Sequence, residues 1–158
     1  MRRFVFVFIA LLLSVAAANA FIDSYTISRD KLPEEARQML DEHFPKAKVS
    51  MIKIDRHLLK KTDYDVRLTN GTKIEFSNKG KWTSVDCGSR EVPEALVPGT
   101  VRKYVEKNFS GLRVVSVGKR NAGYDVGLSD GTLHRFNLLG QYKGVRSSSE
   151  EDASEEED

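Results

Sequence analysis

The chain contains an internal duplication, which restricts it to folds built from two similar units. Shifted by 60 positions, residues 64–86 (YDVRLTNGTKIEFSNKGKWTSVD) align with residues 124–146 (YDVGLSDGTLHRFNLLGQYKGVR), and nine of these 23 positions are identical. Upstream, a shift of 65 aligns residues 32–55 with residues 97–120 and pairs four identical residues. Because the two shifts differ by five, the first copy carries five extra residues between Asp55 and Tyr64.

Each copy begins with the pattern of one amphipathic helix. Apolar residues recur at every fourth position, which places them in one stripe on a helix that can pack on a sheet. The two stripes are Leu32, Ala36, Leu40 and Phe44 in the first copy and Val97, Val101, Val105 and Phe109 in the second. Pro33 suits the first helical turn, Pro45 marks the end of the first helix, and Gly111 ends the second.

Alternating apolar residues after each helix predict a meander of strands with a defined register. Val66 and Leu68 face one side, and Ile74 on the return strand must face the same side. A two-residue turn would turn Ile74 outward, whereas a three-residue loop over residues 69–71 pairs Val66 with Ile74. The register therefore predicts a type I turn with Gly71 left-handed in a bulge.

The same reasoning extends to the rest of the meander. The second copy repeats the three-residue loop over residues 129–131. The next turns place Trp82 beside Phe76 and Tyr142 beside Phe136. Strand parity fails between Trp82 and Val85, which requires a bulge or one exposed apolar residue.

The segments LPEEARQMLDEHFPKAKV and YDVRLTNGTKIEFSNKGKW, followed by a weaker second copy, resemble the PepSY-like, β-lactamase-inhibitor-like proteins that Bacteroidetes export. The resemblance covers residues 30–145. It implies an α+β fold in which two tandem α-β-β-β-β repeats, residues 30–90 and 91–146, form one antiparallel sheet with two helices packed on one face. The shared residues are mostly core and turn positions. The single cysteine departs from disulfide-stapled secreted inhibitors of that architecture, and no inhibitory residue can be carried over.

The first 20 residues have the layout of a secretory signal peptide. Arg2 and Arg3 precede an apolar run over residues 4–18, and Ala18-Asn19-Ala20 is a small-x-small cleavage site. The alternative is a membrane anchor, but this run is shorter than the roughly 20 residues that span a bilayer. We expect cleavage after Ala20, followed by a short N-terminal extension over residues 21–29. The mature chain should be periplasmic or secreted, without stable membrane insertion and without a nucleic-acid partner.

Charge is segregated along the chain, although the formal net charge is only +2. Without Arg2, Arg3 and the seven acidic residues of the last segment, 23 basic and 16 acidic residues remain. Residues 147–158 (SSSEEDASEEED) contain no apolar residue larger than alanine, so we predict a disordered acidic tail. The tail is either a solubilising segment or an acidic arm that screens the basic remainder.

Two single residues are candidates for chemistry. His134 takes the inward position that Ile74 holds in the first copy, so it is either a satisfied core histidine or a spot sensitive to pH or ligand. Cys87 follows the last strand of the first copy and is either an inert free thiol or a residue that pairs between chains.

Other patterns of catalysis are missing from the sequence. Asp65 and Asp125 recur at equivalent outward positions, which is typical of structural residues rather than of an acid/base pair. The chain has neither a glycine-rich phosphate loop nor a GxSxG motif, and its three histidines lack metal-ligand spacing. We therefore predict a protein that is not an enzyme, with no metal and no cofactor.

The five-residue insertion is the main asymmetry between the copies, and it is the first candidate binding site. It lies in the loop over residues 56–63, whose candidate contact residues are Arg56, His57, Leu58, Leu59, Lys60 and Lys61. An exposed apolar pair ringed by charge is typical of a protein contact. The alternative is that Leu58 and Leu59 fold back over the core.

A second candidate is a basic field on the outward side of the strands. Strand parity assigns to it Lys53, Arg67, Lys73, Lys81, Arg135 and Lys143. Such a field suits acidic proteins, anionic glycans or lipid head groups.

These features favour an exported, non-catalytic binding module, which is an interaction protein or an inhibitor-like protein. We expect it to be a monomer whose partner is an unidentified envelope or secreted protein. The alternative is a sensor or binder of an anionic envelope glycan or lipid on the basic face. Salt should strongly weaken the binding of an anionic ligand to the basic face, but it should have little effect on an apolar contact through the loop.

Overall fold

The computed structural model describes residues 23–55 and 62–146, which form two α-helices and nine β-strands. The helices are α1 (Glu34–His43) and α2 (Gly99–Asn108). The strands are β1 (Ser24–Thr26), β2 (Val49–Asp55), β3 (Asp63–Leu68), β4 (Lys73–Phe76), β5 (Trp82–Asp86), β6 (Val114–Arg120), β7 (Gly123–Leu128), β8 (Leu133–Asn137) and β9 (Tyr142–Val145). Two single turns of 3-10 helix cover Arg29–Lys31 and Glu94–Leu96.

All nine strands belong to one antiparallel sheet and follow each other in chain order from β1 to β9. The predicted α+β fold, with two α-β-β-β-β repeats in one sheet, is confirmed. The repeats meet where β5 pairs with β6, and we call this boundary the seam. The sheet also has one strand more than expected, because the short segment Ser24–Thr26 pairs with β2.

The register of the first hairpin agrees with the prediction from strand parity. Val66 pairs with Ile74, Tyr64 pairs with Phe76, and Gly71 has φ of 85°. In the second repeat, Gly131 has φ of 87° at the equivalent position. Glycine adopts this left-handed conformation without the steric cost that a Cβ imposes, so the three-residue loop is confirmed in both copies.

The predicted bulge near Trp82 is also present. Phe76 pairs with Trp82 while Glu75 pairs with Ser84, so one extra residue of β5 bulges out of the ladder. This shift restores the inward direction of Val85, which is fully buried. The second repeat has the same register shift beside Phe136 and Tyr142.

Both helices lie on one side of the sheet, and their apolar stripes form the core with the inward residues of the strands. Buried residues of α1 and α2 belong to a single cluster with the sheet, among them Ala36, Leu40, Val101 and Val105. Pro33 lies one position earlier than expected, at the N-cap, because its ψ of 153° is extended rather than helical.

Two turn glycines allow the sheet to approach the helices closely. A Cβ at Gly80 would lie 2.9 Å from the backbone nitrogen of Ala36, and a Cβ at Gly140 would lie 2.8 Å from the Cβ of Thr100. Both glycines also have positive φ. The β4–β5 and β8–β9 turns therefore hold the two helices in equivalent ways.

Three groups of predictions lie outside the described residues. They concern the signal peptide and start of the mature chain over residues 1–22, the loop over residues 56–61 and the acidic tail over residues 147–158. Within residues 23–55 and 62–146, no helix is long and apolar enough to cross a membrane.

Candidate functional site

The helix-free side of the sheet, which we call the outer face, carries most of the charged strand residues. Strand pairing places one row of residues directly across it from edge to edge. The row consists of Tyr25, Lys53, Asp65, Glu75, Ser84, Gly118, Asp125, Arg135 and Gly144. On the first-repeat side of the seam the row carries Asp65 and Glu75 beside Lys53. On the second-repeat side it carries Arg135 beside Asp125.

The two repeats have opposite charges at equivalent positions of the outer face. Three acidic residues of the first repeat are replaced by arginine in the second, while one aspartate is kept. The exchanged pairs are Asp55 and Arg120, Glu75 and Arg135, and Asp86 and Arg146; the kept aspartates are Asp65 and Asp125. The duplication therefore built two halves of related shape and inverted charge.

The acidic half surrounds one lysine. It consists of Asp23, Asp55, Asp63, Asp65, Glu75 and Asp86, with Lys53, Arg67 and Lys73 among them. The ammonium of Lys53 lies 3.1 Å from a carboxylate oxygen of Asp23 and 3.0 Å from one of Asp55. These carboxylates raise the pKa of Lys53 by hydrogen bonding to its charged form. Lys53 thus holds together a cluster that would otherwise repel itself.

The remaining acids of this half are crowded. Burial raises the pKa of Asp65, and the nearby Asp55 and Asp63 carboxylates raise it further against the opposing effect of Lys53. Burial also raises the pKa of Glu75, to which Asp65 adds. A further positive charge placed over Asp65 and Glu75 would stabilise their ionised forms.

The basic half surrounds one carboxylate. Asp125 is 5% exposed, and its Oδ2 accepts hydrogen bonds from Arg120 Nε at 2.9 Å and from an Arg146 terminal nitrogen at 3.0 Å. Arg135 Nε lies 3.7 Å from Oδ1. Arginine planes suit this convergence because each presents several donors in a fixed fork. Three guanidiniums therefore share one buried negative charge.

A shallow depression of about 170 Å³ lies on the outer face at the seam. Small residues form its floor, and charged residues of both halves form its rims. Its lining is Ser84, Asp86, Ser116, Val117, Gly118, Arg120, Asp125, Leu133 and Arg146. A Cβ at Gly118 would meet nothing within 4 Å, so the space above this glycine is open.

The predicted basic residues are not gathered into one basic field. Lys53, Arg67 and Lys73 lie in the acidic half, where Lys73 is 3.9 Å from Asp86. Arg135 lies in the basic half. The outer face is therefore of mixed charge rather than uniformly basic, because acids share the outward parity of the strands with the lysines and arginines.

The last two predicted basic residues lie elsewhere. Lys143 is exposed on the edge strand β9. Lys81 is exposed near Lys119, whose ammonium stacks 3.4 Å from the ring centre of Trp82. Lys119 interacts with both Lys81 and Glu35 of α1, so Lys81 lies towards the helix side rather than on the outer face.

His134 lies inward, as predicted, and is 3% exposed. Its ring packs 4.5 Å from that of Phe109, and both ring nitrogens are within hydrogen-bonding distance of a hydroxyl group. Burial lowers the pKa of His134. This arrangement fits the satisfied core histidine of the first alternative.

Cys87 is a free cysteine and is 3% exposed. Burial raises the pKa of its thiol, which keeps it protonated and weakly nucleophilic. The structure therefore favours the inert thiol over a residue that pairs between chains.

Sequence reasoning missed an exposed apolar pair in the β8–β9 turn. Leu138 is 62% exposed and Leu139 is 71% exposed, whereas the equivalent turn of the first repeat carries Asn78 and Lys79. Comparing the two copies position by position would have found it. Within the described residues, no group of three or more His, Cys, Asp or Glu side chains could hold a metal ion.

A family model described as "Putative beta-lactamase-inhibitor-like, PepSY-like" matches residues 21–61 and 62–144. A "putative periplasmic protein of unknown function" from Bacteroides vulgatus is similar in structure, with a TM-score of 0.76 and 34% identity over 80% of this chain and all of the other. A "putative calcium-regulated periplasmic protein" from Bacteroides thetaiotaomicron has a TM-score of 0.73 and 32% identity over 79% of this chain and 97% of the other. Among curated proteins, none matches the chain.

Proposed function

The chain belongs to the PepSY-like, β-lactamase-inhibitor-like family, and we propose that it is an exported, non-catalytic module that binds a protein partner through its outer face. Two proteins of similar structure are named as periplasmic, which supports export. The signal peptide would direct this export and be cleaved after Ala20. The family name supports an interaction role, but no residue of this chain is assigned to the inhibition of any enzyme.

The observation that carries this proposal is the depression at the seam. A nine-stranded sheet with helices on one side offers a broad second side to other molecules. At the seam, Ser84, Ser116 and Gly118 form the floor of this depression, and the ion pairs of Asp125 with Arg120 and Arg146 fix one rim. A rigid polar rim around small residues suits the side chains of a protein surface.

Filling the depression tests the proposal. Gly118→Trp places an indole in open space above the seam, and Gly99→Trp is a matched control because a Cβ there also meets nothing within 4 Å, at the start of α2 on the other side. We expect cross-linking capture from an envelope extract of the producing organism to recover a partner with wild type and the control but not with Gly118→Trp. Equal recovery by all three would show that the outer face is not used.

The loop over residues 56–61 remains a second proposed contact. Leu58→Asp with Leu59→Asp, studied in the same capture assay, would abolish recovery if the apolar pair contributes. Unchanged recovery by a folded double variant would remove the loop from the binding surface.

An anionic ligand is the alternative, and the three arginines around Asp125 favour it. A glycan or lipid head group could bind the outward atoms of Arg120, which is 62% exposed. Salt separates the two functions, since ionic strength of about 1 M reduces the Debye length to about 3 Å and weakens contacts between exposed charges. Recovery of glycan or lipid only at low salt would favour this alternative.

Calcium regulation, printed in the name of the Bacteroides thetaiotaomicron protein, is not proposed for this chain. The acidic half already contains a cation, because the Lys53 ammonium lies between Asp23 and Asp55.

A further inference from the structure

We propose that the outer face binds the outer face of a second copy of this chain, so that the acidic half of each copy lies on the basic half of the other. This inference rests on the proposed function, since it names a partner for the same surface. It uses the charge inversion between the two repeats.

The charges of the two halves are complementary. The acidic half contains six carboxylates against three cations, a formal charge of −3. The basic half contains Arg120, Arg135 and Arg146 against Asp125, a formal charge of +2. Burial, and after it the neighbouring carboxylates, raise the pKa values of Asp65 and Glu75. Guanidiniums that approach these groups would stabilise their ionised forms, which agrees with the pairing.

Charge complementarity selects the symmetry of the pair. A two-fold axis that runs parallel to the strands and over the seam exchanges left and right, so each acidic half faces a basic half. An axis across the strands would place like charges against each other, which disfavours association in protein interfaces. The selected axis also keeps the strands of the two sheets nearly aligned, as in common face-to-face sheet packing.

The size of the face is sufficient for a specific dimer. Nine strands spaced about 4.8 Å apart and about five residues long give roughly 700 Å² per copy. A pair would then bury about 1,400 Å² in total, within the range of specific interfaces. On the axis itself, Ser84, Ser116 and Gly118 leave room for the two sheets to approach.

Charge reversal tests the pairing, and each repeat supplies the substitutions that the other tolerates. The first variant combines Glu75→Arg with Asp86→Arg, the residues found at these positions in the second repeat. The second combines Arg120→Asp with Arg135→Glu, taken from the first repeat. Arg120 and Arg135 are the two more exposed arginines, so Arg146 remains to neutralise Asp125.

Sedimentation equilibrium at a concentration on the order of 100 µM measures the outcome. We expect the wild type to be dimeric at low salt and to dissociate at about 1 M salt. Each variant alone should be monomeric, and an equimolar mixture of the two should recover the dimer, because each then presents the charge that the other lacks. Thermal unfolding must show a cooperative transition for each variant. If the variant with Arg120→Asp and Arg135→Glu does not fold, Arg120→Gln replaces it, and its dimer should be weaker than that of the wild type.

Two results would overturn the inference. One is a wild-type protein that remains monomeric at low salt. The other is a dimer that both charge-reversal variants retain. Neither result affects the capture assay with Gly118→Trp, so the inference can fail while the proposed function stands.

Discussion

The phenol oxygen of Tyr142 lies 3.3 Å from Nδ1 of His134, and the hydroxyl of Thr132 lies 2.7 Å from Nε2 of the same ring. Thr132 donates its own proton to Asp130 at 2.6 Å, so it must accept from the imidazole N–H. Nδ1 then accepts from Tyr142. The chain of hydrogen bonds is complete only when His134 is neutral.

We expect His134 to make the folded state sensitive to acid. Because burial lowers its pKa below that of an unfolded histidine, its contribution to stability is present above about pH 6.5 and is lost as the pH falls below this value. His134→Ile places the residue found at the equivalent position, Ile74, in the same environment. The variant should lose less free energy of unfolding between pH 7.5 and pH 5, by up to about 1.4 kcal/mol per pH unit. Urea unfolding at both pH values measures this, and parallel pH profiles for the two proteins would contradict it.

Cys87 should react with a thiol reagent only when the chain unfolds. It is buried in the core, and its raised pKa keeps it protonated at neutral pH. We expect modification by an aromatic disulfide reagent to be slow in buffer and fast in about 6 M guanidinium chloride. The full chain should also run as a monomer on non-reducing denaturing gels. Rapid labelling of the native protein would mean that the thiol is accessible.

The two classes of turn glycine should differ in their tolerance of a side chain. Gly71→Ala meets only the cost of a left-handed backbone, about 1–2 kcal/mol, because no atom lies within 4 Å of its Cβ. Gly80→Ala adds a contact of 2.9 Å with the backbone of Ala36 and should destabilise the chain by at least about 1 kcal/mol more. Urea unfolding of both variants compares them directly; equal losses would show that the turn moves freely away from α1.

The packing of the core could be predicted from the sequence because it depends on periodicity. The side on which Ile74 lies follows from the alternation of neighbouring residues, and the three-residue loop follows from that side alone. The bulge beside Trp82 follows from the same parity. These features require no knowledge of which strands from different repeats are neighbours.

The outer face could not be predicted in the same way, because its properties depend on pairing between distant segments. Asp125 gains its burial from Arg120, which precedes it in the same hairpin, and from Arg146, which is 21 residues later. The sequence assigned Asp125 to an outward strand position, which is correct, but exposure does not follow from that position. Strand β1 escaped prediction because three residues carry too little alternation.

Asp65 and Asp125 offer the sharpest test of the charge inversion, since the same substitution at equivalent positions should have opposite effects. Asp125→Asn leaves three guanidiniums around a neutral amide and should cost about 2–3 kcal/mol, a value below that of fully buried ion pairs because Arg120 and Arg135 are partly in solvent. Asp65→Asn removes a crowded carboxylate and should stabilise the chain by less than about 1 kcal/mol.

The pH dependence gives the second part of this prediction. The raised pKa of Asp65 means that the folded state takes up its proton more readily than the unfolded state, so this residue favours folding at low pH and loses that contribution as the pH rises through its folded pKa. The advantage of Asp65→Asn over wild type should therefore shrink as the pH falls from 7 to 4. Urea unfolding of both proteins at the same low salt concentration makes the comparison, because high salt would screen the crowding of the carboxylates. Destabilisation by Asp65→Asn at pH 7 would mean that its carboxylate is held by favourable contacts like those of Asp125, and that the two halves do not differ in the way their charges indicate.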